Sequence, residues 1–146
     1  MAGRCSMRRE DVVVAARAWV GTPYRHRAAT LGAGCDCLGL LRGVWRELHG
    51  IEPMAVPNYR ADWRDGRHAE DFRYLADELL TPASVGPEAG QVILFRLGRT
   101  RVPRHCGIAI SGDRFIHAQE GLGVIEANLS EGWRRRVAGL YEFPGI

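Results

Sequence analysis

The sequence predicts an α+β fold in which helices come first and an antiparallel sheet follows. In the first half of the chain, apolar residues recur at the three- and four-residue spacing of amphipathic helices. After about residue 90 the pattern changes to short β-prone runs separated by turn clusters such as Ser111-Gly112-Asp113. These connections are too short for crossovers, so the strands are expected to pair antiparallel.

Three helices are predicted, and the first and third span about residues 10–20 and 69–80. Both carry apolar side chains at helical spacing, and each is followed by a stop that contains proline. Residues 52–66, which separate the second helix from the third, contain two prolines and are expected to form a surface loop.

The second predicted helix carries the chemistry. Asp36 is a good N-cap residue, so Cys37 falls in the first turn, and Gly50 closes the helix. Gly39 and Gly43 lie four residues apart on it. Because glycine is a poor helix former, this spacing predicts a face on which another backbone, expected to be a strand, packs very close.

Five strands are predicted, at residues 92–97, 105–110, 114–118, 124–127 and 137–143. His105 begins the second strand, and His117 lies near the end of the third, across a tight turn. Antiparallel pairing can therefore set the two imidazoles side by side on one face of the sheet. Strand alternation puts Cys106 on the opposite face from His105.

Length and composition indicate one domain, residues 1–146, with enough apolar residues (46%) to form a core. The net charge of +3 is modest and the charges are interspersed, so no nucleic-acid partner is expected. No apolar stretch approaches the length of a membrane span. The N-terminus lacks the apolar core of a signal peptide, so the protein is expected to be made in the cytoplasm without an export address.

The cysteines divide into one reactive candidate and three structural ones. Four cysteines without an export signal argue against a disulfide framework, and Cys5, Cys35 and Cys106 are assigned to structure. Cys37 is the predicted nucleophile, because a helix N-terminus and a nearby imidazolium lower the pKa of a thiol. In this scheme His105 is the base and His117 orients it.

A metal site is the alternative that the same residue types allow. Cys35, Cys37, His105 and His117 are all ligands that zinc accepts. The Cys-x-Cys spacing is not the usual two-residue spacing of a zinc site, and zinc would occupy the nucleophile.

Five short motifs follow one another along most of the chain. They are Gly21-Thr22-Pro23-Tyr24, Asp36-Cys37-Leu38-Gly39-Leu40, Gly90-Gln91-Val92-Ile93-Leu94-Phe95, His105-Cys106-Gly107-Ile108-Ala109-Ile110 and Phe115-Ile116-His117-Ala118. Together they resemble the NlpC-type cell-wall peptidases, which are papain-like cysteine hydrolases of bacteria and their phages. The resemblance implies a papain-like fold, catalysis by Cys37, His105 and His117, and no cofactor. It also implies that Tyr24 helps hold the tetrahedral intermediate while the Cys37 N–H donates to the oxyanion.

The nucleophile region, Cys-Asp-Cys-Leu-Gly followed by Arg-Gly-Val-Trp-Arg-Glu-Leu, is similar to the branch carried by tailed phages and gene transfer particles. The resemblance to the NlpC-type family implies cleavage of peptidoglycan stem peptides, usually at the amide that joins γ-linked D-glutamate to a diamino acid. The similarity to the phage branch implies incorporation into a phage-like particle, with tail-tip or baseplate proteins as partners.

The sequence departs from the family pattern at three places. Leu38 stands where many members have a serine that, with the aspartate before the nucleophile (here Asp36), helps bind a free substrate amine. Gln91 replaces a common aspartate, and Arg25-His26-Arg27 replaces an aromatic-glycine stretch. These departures concern the substrate and not the core chemistry. Two functional alternatives stay open beside the peptidase: a catalytically silent structural component of a tail tip, and an amidase or thioesterase on the same fold.

Overall fold

The computed structural model describes residues 7–52, 69–99 and 103–146, and the part it describes has the predicted α+β architecture. The elements are α1 (Arg9–Arg17), β1 (Ala29–Thr30), β2 (Gly34–Cys35), α2 (Cys37–His49), α3 (Ala69–Leu79), β3 (Thr81–Pro82), β4 (Gln91–Arg96), β5 (Pro103–Ala109), β6 (Arg114–Gln119), β7 (Gly123–Asn128), α4 (Glu131–Arg134) and β8 (Val137–Glu142).

Six strands form the main sheet, in the order β3-β8-β4-β5-β6-β7, and all neighbours pair antiparallel. A separate hairpin joins β1 to β2. The five predicted strands are β4 to β8, and the sixth is β3, which pairs with β8 through Thr81 and Glu142. The sequence indicated only a helix stop at Thr81-Pro82, because a two-residue strand is too short to show alternation.

The helices differ from prediction mainly at their ends. The first helix ends at Arg17, three residues before the predicted end, and continues as a hydrogen-bonded turn. The short helix α4 was not predicted, because four residues cannot display a helical period; Ser130 caps it by accepting from the Trp133 N–H. The predicted loop at 52–66 lies, from residue 53 onward, outside the described residues, as does Cys5.

The sheet has an apolar cluster on each face. Helices α1, α2 and α3 cover one face, where the buried cluster includes Val12, Leu40, Leu94, Cys106 and Ile108. The other face carries a smaller cluster of Ile93, Phe95, Ala109, Phe115 and Leu129, with Trp133 of α4 packed against it. We call the first the helix face and the second the α4 face.

The two glycines of α2 make close contacts of different kinds. A Cβ at Gly39 would lie 1.8 Å from the carbonyl oxygen of Ala28, so a backbone does pack against it, although that backbone belongs to the segment before β1. A Cβ at Gly43 would lie 1.9 Å from the indole of Trp19. The prediction of a close backbone is therefore right for Gly39 and wrong for Gly43, where an aromatic side chain fills the space.

Within the described ranges, no helix is long and apolar enough to cross a membrane.

Gly39→Ala is expected to destabilise the fold by about 1–3 kcal/mol, because the added methyl group must displace the Ala28 carbonyl, a main-chain group. Urea denaturation measures this change. Gly132→Ala is the matched control, since its Cβ would meet its nearest neighbour, Ser130 Oγ, at an ordinary 3.8 Å. Equal unfolding free energies for the two variants would contradict the close approach at Gly39.

Candidate active site

The N-terminus of α2 is held by the carboxylate of Asp36, which is almost fully buried. Its Oδ1 accepts from the Gly39 N–H at 2.7 Å, and its Oδ2 accepts from the Arg27 N–H at 2.7 Å. The first bond is the predicted N-cap. The second attaches the loop of residues 25–28 to the start of α2, so this loop is fixed next to Cys37.

Tyr24 is positioned by backbone pairing on both sides of its segment. The Cys35 N–H donates to Pro23 O and the Arg25 N–H donates to Cys35 O, each at 3.0 Å. On the other side, the Val124 N–H donates to Thr22 O at 2.9 Å. The half-buried Tyr24 side chain packs against the core cluster that contains Cys37.

His105 and His117 form a hydrogen-bonded pair. The distance from His105 Nε2 to His117 Nδ1 is 2.8 Å, and both side chains are buried. Continuing the β5–β6 register from Ile108↔Ile116 would set His117 opposite Gly107. A Cβ at Gly107 would lie 3.2 Å from His117 Cβ and 2.9 Å from Phe115 Cδ2, so the absent side chain leaves room for the diagonal contact.

The histidines lie on the α4 face, whereas the body of α2 lies on the helix face. Cys106 belongs to the helix face, as alternation predicts, and its thiol donates to the backbone oxygen of Cys37 at 3.2 Å. The β4–β5 register shifts at Phe95 and Arg96, immediately before His105 along β5. Such irregularities re-aim side chains next to active sites, and this one lies where β5 meets the N-terminus of α2.

The pKa of the Cys37 thiol is lowered from 9.0 to about 5. The Cys106 thiol contributes most to this lowering, and the neighbouring His105 adds to it; burial and the Asp36 carboxylate act in the opposite direction. Cys37 is therefore a thiolate at neutral pH. Since His105 Nε2 contacts His117, Nδ1 is the nitrogen available to Cys37.

The thiols of Cys35 and Cys106 have pKa values shifted in the opposite direction from that of Cys37. Burial and the neighbouring Asp36 raise the pKa of Cys35 to about 12. Burial and the nearby Cys37 raise the pKa of Cys106 well above its usual range. Both stay protonated at neutral pH, so Cys106 remains a donor and Cys37 is the reactive member of the three.

Burial, and secondarily the neighbouring His105, lower the pKa of His117 to about 3. His117 is therefore neutral at neutral pH. A neutral imidazole has one N–H, so when His105 donates from Nε2, His117 accepts at Nδ1 and carries its proton on Nε2. Within the described part of the chain, this Nε2 is buried without a hydrogen-bond partner.

The four residues of the alternative metal site are all described, and they do not form a ligand cluster. No group of three or more His, Cys, Asp or Glu side chains in residues 7–52, 69–99 and 103–146 is arranged to hold a metal ion. His105 and His117 instead use a nitrogen each to contact one another.

The three departures from the family pattern occupy different places. The Leu38 side chain is buried, and His26 Nδ1 lies 3.8 Å from Asp36 Oδ2 at the rim of the helix start. Gln91 organises the loop before β4, since its Oε1 accepts from the Glu88 N–H and its Nε2 donates to Val85 O, both at 2.9 Å. Gln91 therefore has a structural role.

Sequence reasoning missed three residues around the predicted trio. Cys106 was assigned to the core, where it lies, but the pattern could not show that its thiol reaches Cys37. Gly107 follows directly after His105 and could have been singled out as a glycine inside a strand, which often marks a close approach. Trp133 lies in no periodic segment that would mark its role, and its indole packs over both histidines.

A thiolate at a helix N-terminus, beside a hydrogen-bonded pair of imidazoles from an antiparallel sheet, defines a cysteine hydrolase of papain-like architecture. The NlpC/P60 family model matches residues 21–141, which is most of the chain. The chain therefore belongs to the NlpC/P60 family of cysteine-type peptidases.

Curated relatives extend the match. The chain is 29% identical over 119 residues to the murein DD-endopeptidase MepS/murein LD-carboxypeptidase of Escherichia coli, covering 81% of this chain and 54% of that protein. It is 29% identical over 136 residues to the γ-DL-glutamyl hydrolase of Bacillus subtilis, covering 92% of this chain and 29% of that protein. The chain thus spans about half the length of the first relative and less of the second.

Solved structures show the same fold. The NlpC/p60 domain of the peptidoglycan hydrolase SagA matches with a TM-score of 0.60 and 22% identity, covering 93% of this chain and 98% of that one. NlpC1 from Trichomonas vaginalis matches with a TM-score of 0.67 and 15% identity, covering 98% of this chain and 46% of that one.

Alkylation by iodoacetamide should follow the ionisation of Cys37. Because the thiolate is the reactive form, the rate should rise with pH and reach half its maximum near pH 5. Cys106→Val removes the thiol donor, and loss of one hydrogen bond to a charge should move the midpoint up by about 1–2 pH units. Peptide mass spectrometry identifies the labelled cysteine.

Cys106→Ser is the matched control, because serine keeps a donor at this position, and its midpoint should stay nearer that of the native protein. A native midpoint at pH 8 or above, or an unchanged midpoint in Cys106→Val, would contradict the assigned interaction.

Proposed function

We propose that this domain hydrolyses peptidoglycan stem peptides, with Cys37 as nucleophile, His105 as general acid and base, and His117 as the residue that orients His105. The observation that carries the proposal is the low pKa of Cys37, about 5, beside a buried His105–His117 pair 2.8 Å apart. Nucleophile, base and orienting group are the three parts that thiol acyl transfer requires.

In the first half of the reaction the Cys37 thiolate attacks the carbonyl carbon of the scissile amide. The carbonyl oxygen becomes an oxyanion, and the Cys37 N–H, which lies at the start of α2 and has no intrahelical acceptor, donates to it. His105 donates its Nδ1 proton to the leaving amine, so the C–N bond breaks and an acyl thioester forms on Cys37.

In the second half, neutral His105 accepts a proton from water at Nδ1 while the water oxygen attacks the thioester carbon. The C–S bond breaks, the acid product leaves, and the thiolate and imidazolium are restored. Throughout both halves, His117 accepts the His105 Nε2–H, which keeps Nδ1 turned toward Cys37. Tyr24, packed on the same cluster, borders the reacting carbonyl in this scheme.

The names of the relatives support the substrate class. One is a murein endopeptidase and carboxypeptidase and another is a γ-DL-glutamyl hydrolase. We assign the scissile bond to the amide between γ-linked D-glutamate and the following diamino acid, as the motif resemblance implies. Asp36 and Tyr24 are placed beside the substrate in this proposal. Both Asp36 oxygens accept backbone N–H groups, so this carboxylate has less capacity to bind a free substrate amine. We therefore expect a free amine to be less strictly required in the substrate.

The finer proposal is that the domain acts as part of a phage-like tail. Its support is the form of the nucleophile region, in which Cys35, Asp36 and Cys37 are followed by Leu38 rather than serine. A particle-borne hydrolase would reach the wall of the next cell at the tail tip, held there by tail-tip or baseplate proteins.

Purified protein incubated with defined muropeptides under reducing conditions should release stem-peptide fragments cleaved after D-glutamate, identified by mass spectrometry. Cys37→Ala should abolish cleavage, and His105→Ala should reduce kcat/KM by about 10²–10⁴-fold, the usual contribution of a general acid–base group. Cleavage of simple acyl esters without any stem-peptide cleavage would favour the amidase or thioesterase alternative.

Cys35→Ala is the matched control for Cys37→Ala, since it removes a buried thiol two residues away whose pKa is raised to about 12. It should keep most of the activity. Loss of cleavage in both variants with retained folding would remove the distinction between the two cysteines.

Particles purified from a producing strain should contain this protein by mass spectrometry. Particles that carry Cys37→Ala should assemble in normal numbers and deliver DNA less often to cells with an intact wall. Undiminished delivery by these particles would favour the silent structural role, and absence of the protein from particles would overturn the tail assignment.

A further inference from the structure

We propose that Trp133 is a positioning residue for the histidine pair: its indole covers His105 and His117 on the α4 face, excludes water from them, and so holds His117 as a neutral hydrogen-bond acceptor. The role of the pair in catalysis rests on the proposed function, whereas the covering of His117 can be measured without any substrate.

The aromatic geometry supports this role. The Trp133 ring centroid lies 6.0 Å from that of His105 and 5.3 Å from that of His117, and it meets His117 nearly edge to face, at 75°. Phe95 and Phe115 flank the same indole, with centroids 4.9 and 5.3 Å away. The imidazoles are thus enclosed by aromatic rings on a face of the sheet that the three long helices do not cover.

The indole is fixed at both ends of α4. Ser130 Oγ accepts from the backbone N–H of Trp133, and the Leu129 backbone N–H before it donates to Asp113 O at 2.7 Å. After the helix, the Arg96 N–H of β4 donates to Arg136 O at 2.7 Å. Because the chain is attached to the β5–β6 turn on one side of it and to β4 on the other, Trp133 keeps its place over the histidines without a side-chain hydrogen bond of its own to them.

Electrostatics favours the same state of His117. The group that contacts it is His105 on β5, whose charge lowers the pKa of His117, and beyond the indole lies Arg136, whose guanidinium carbon is 5.4 Å from the Trp133 ring centroid. Glu126 on β7 forms ion pairs with Arg17 and Arg114. Its register partner is Ile116, so it lies on the helix face. The Nδ1 of His117 contacts His105 and its Nε2 has no hydrogen-bond partner, so no carboxylate among the described residues is paired with His117.

Neutrality of His117 matters because its Nδ1 must accept from His105. A protonated His117 has donors on both nitrogens and would turn the 2.8 Å contact into a repulsion between two donors. Burial is the main cause that lowers the pKa of His117 to about 3. The indole that buries His117 therefore sets the pH at which His117 becomes protonated and its hydrogen bond with His105 is lost. A surface-exposed imidazole would become protonated near pH 6.5 and could no longer accept this hydrogen bond.

The test is a histidine-ring NMR titration of the full chain, with His117 assigned by the signal lost in His117→Asn. In the native protein His117 should stay neutral down to about pH 4. In Trp133→Ala it should titrate near pH 6, because water reaches the ring. Trp133→Phe keeps an aromatic cover and should restore most of the native behaviour.

The matched control is Trp45→Ala. Trp45 is a half-buried indole that packs on Phe143 and His49 and donates to Ile51 O, so its loss removes a similar packing contribution on the helix face, opposite the face that carries His105 and His117. Its His117 titration should match that of the native protein. If Trp133→Ala does not fold, Trp133→Leu leaves a smaller apolar cover, and His117 should titrate at a higher pH than in the native protein.

The kinetic readout is the acid limb of kcat/KM on muropeptides. With His117 titrating near pH 6, Trp133→Ala should lose about fourfold more activity than the native protein between pH 8 and pH 5.5. An NMR titration of His117 near pH 6 in the native protein, or an unchanged titration in folded Trp133→Ala or Trp133→Leu, would overturn the proposal. Absent muropeptide cleavage with the predicted titrations would refute the proposed function and leave the covering role of Trp133 supported.

Discussion

The buried carboxylate of Asp36 is the constraint on which the site depends. It accepts from an N–H inside α2 and from an N–H of the loop above it, so a single side chain fixes both the start of the helix and the chain that covers it. Gly39 permits this closeness, because any side chain there would collide with the Ala28 carbonyl. Cys37 gains a defined position at the helix N-terminus as a result.

The chemistry of the site follows from competition between burial and hydrogen bonding. Burial disfavours charge, and it wins at Cys35 and His117, which stay uncharged at neutral pH. At Cys37 the interactions with Cys106 and His105 outweigh it, so the thiolate is stable although it is buried. One buried environment thereby produces a charged nucleophile beside a neutral orienting imidazole, which is the division of roles that acyl transfer requires.

Much of the fold could be predicted, because long periodic segments carry their own signal. The strands β4 to β8 and the helix that begins at Cys37 show alternation or a capped apolar stripe in the sequence. The two-residue strand β3 and the four-residue helix α4 are too short to show either. The contact at Gly43 was misjudged for a related reason: a glycine pattern indicates close packing, and it does not say whether a backbone or an indole fills the space.

By itself, the sequence determined the α+β class, the N-cap at Asp36, the position of Cys37 in the first turn, and the family to which the motifs belong. These are local properties, set by neighbours along the chain. Only the tertiary structure decided that Cys106 donates to the nucleophile region and that Trp133 closes over the histidines. Those contacts join residues distant in sequence, and they depend on strand register, a bulge and a short helix, which no periodicity encodes.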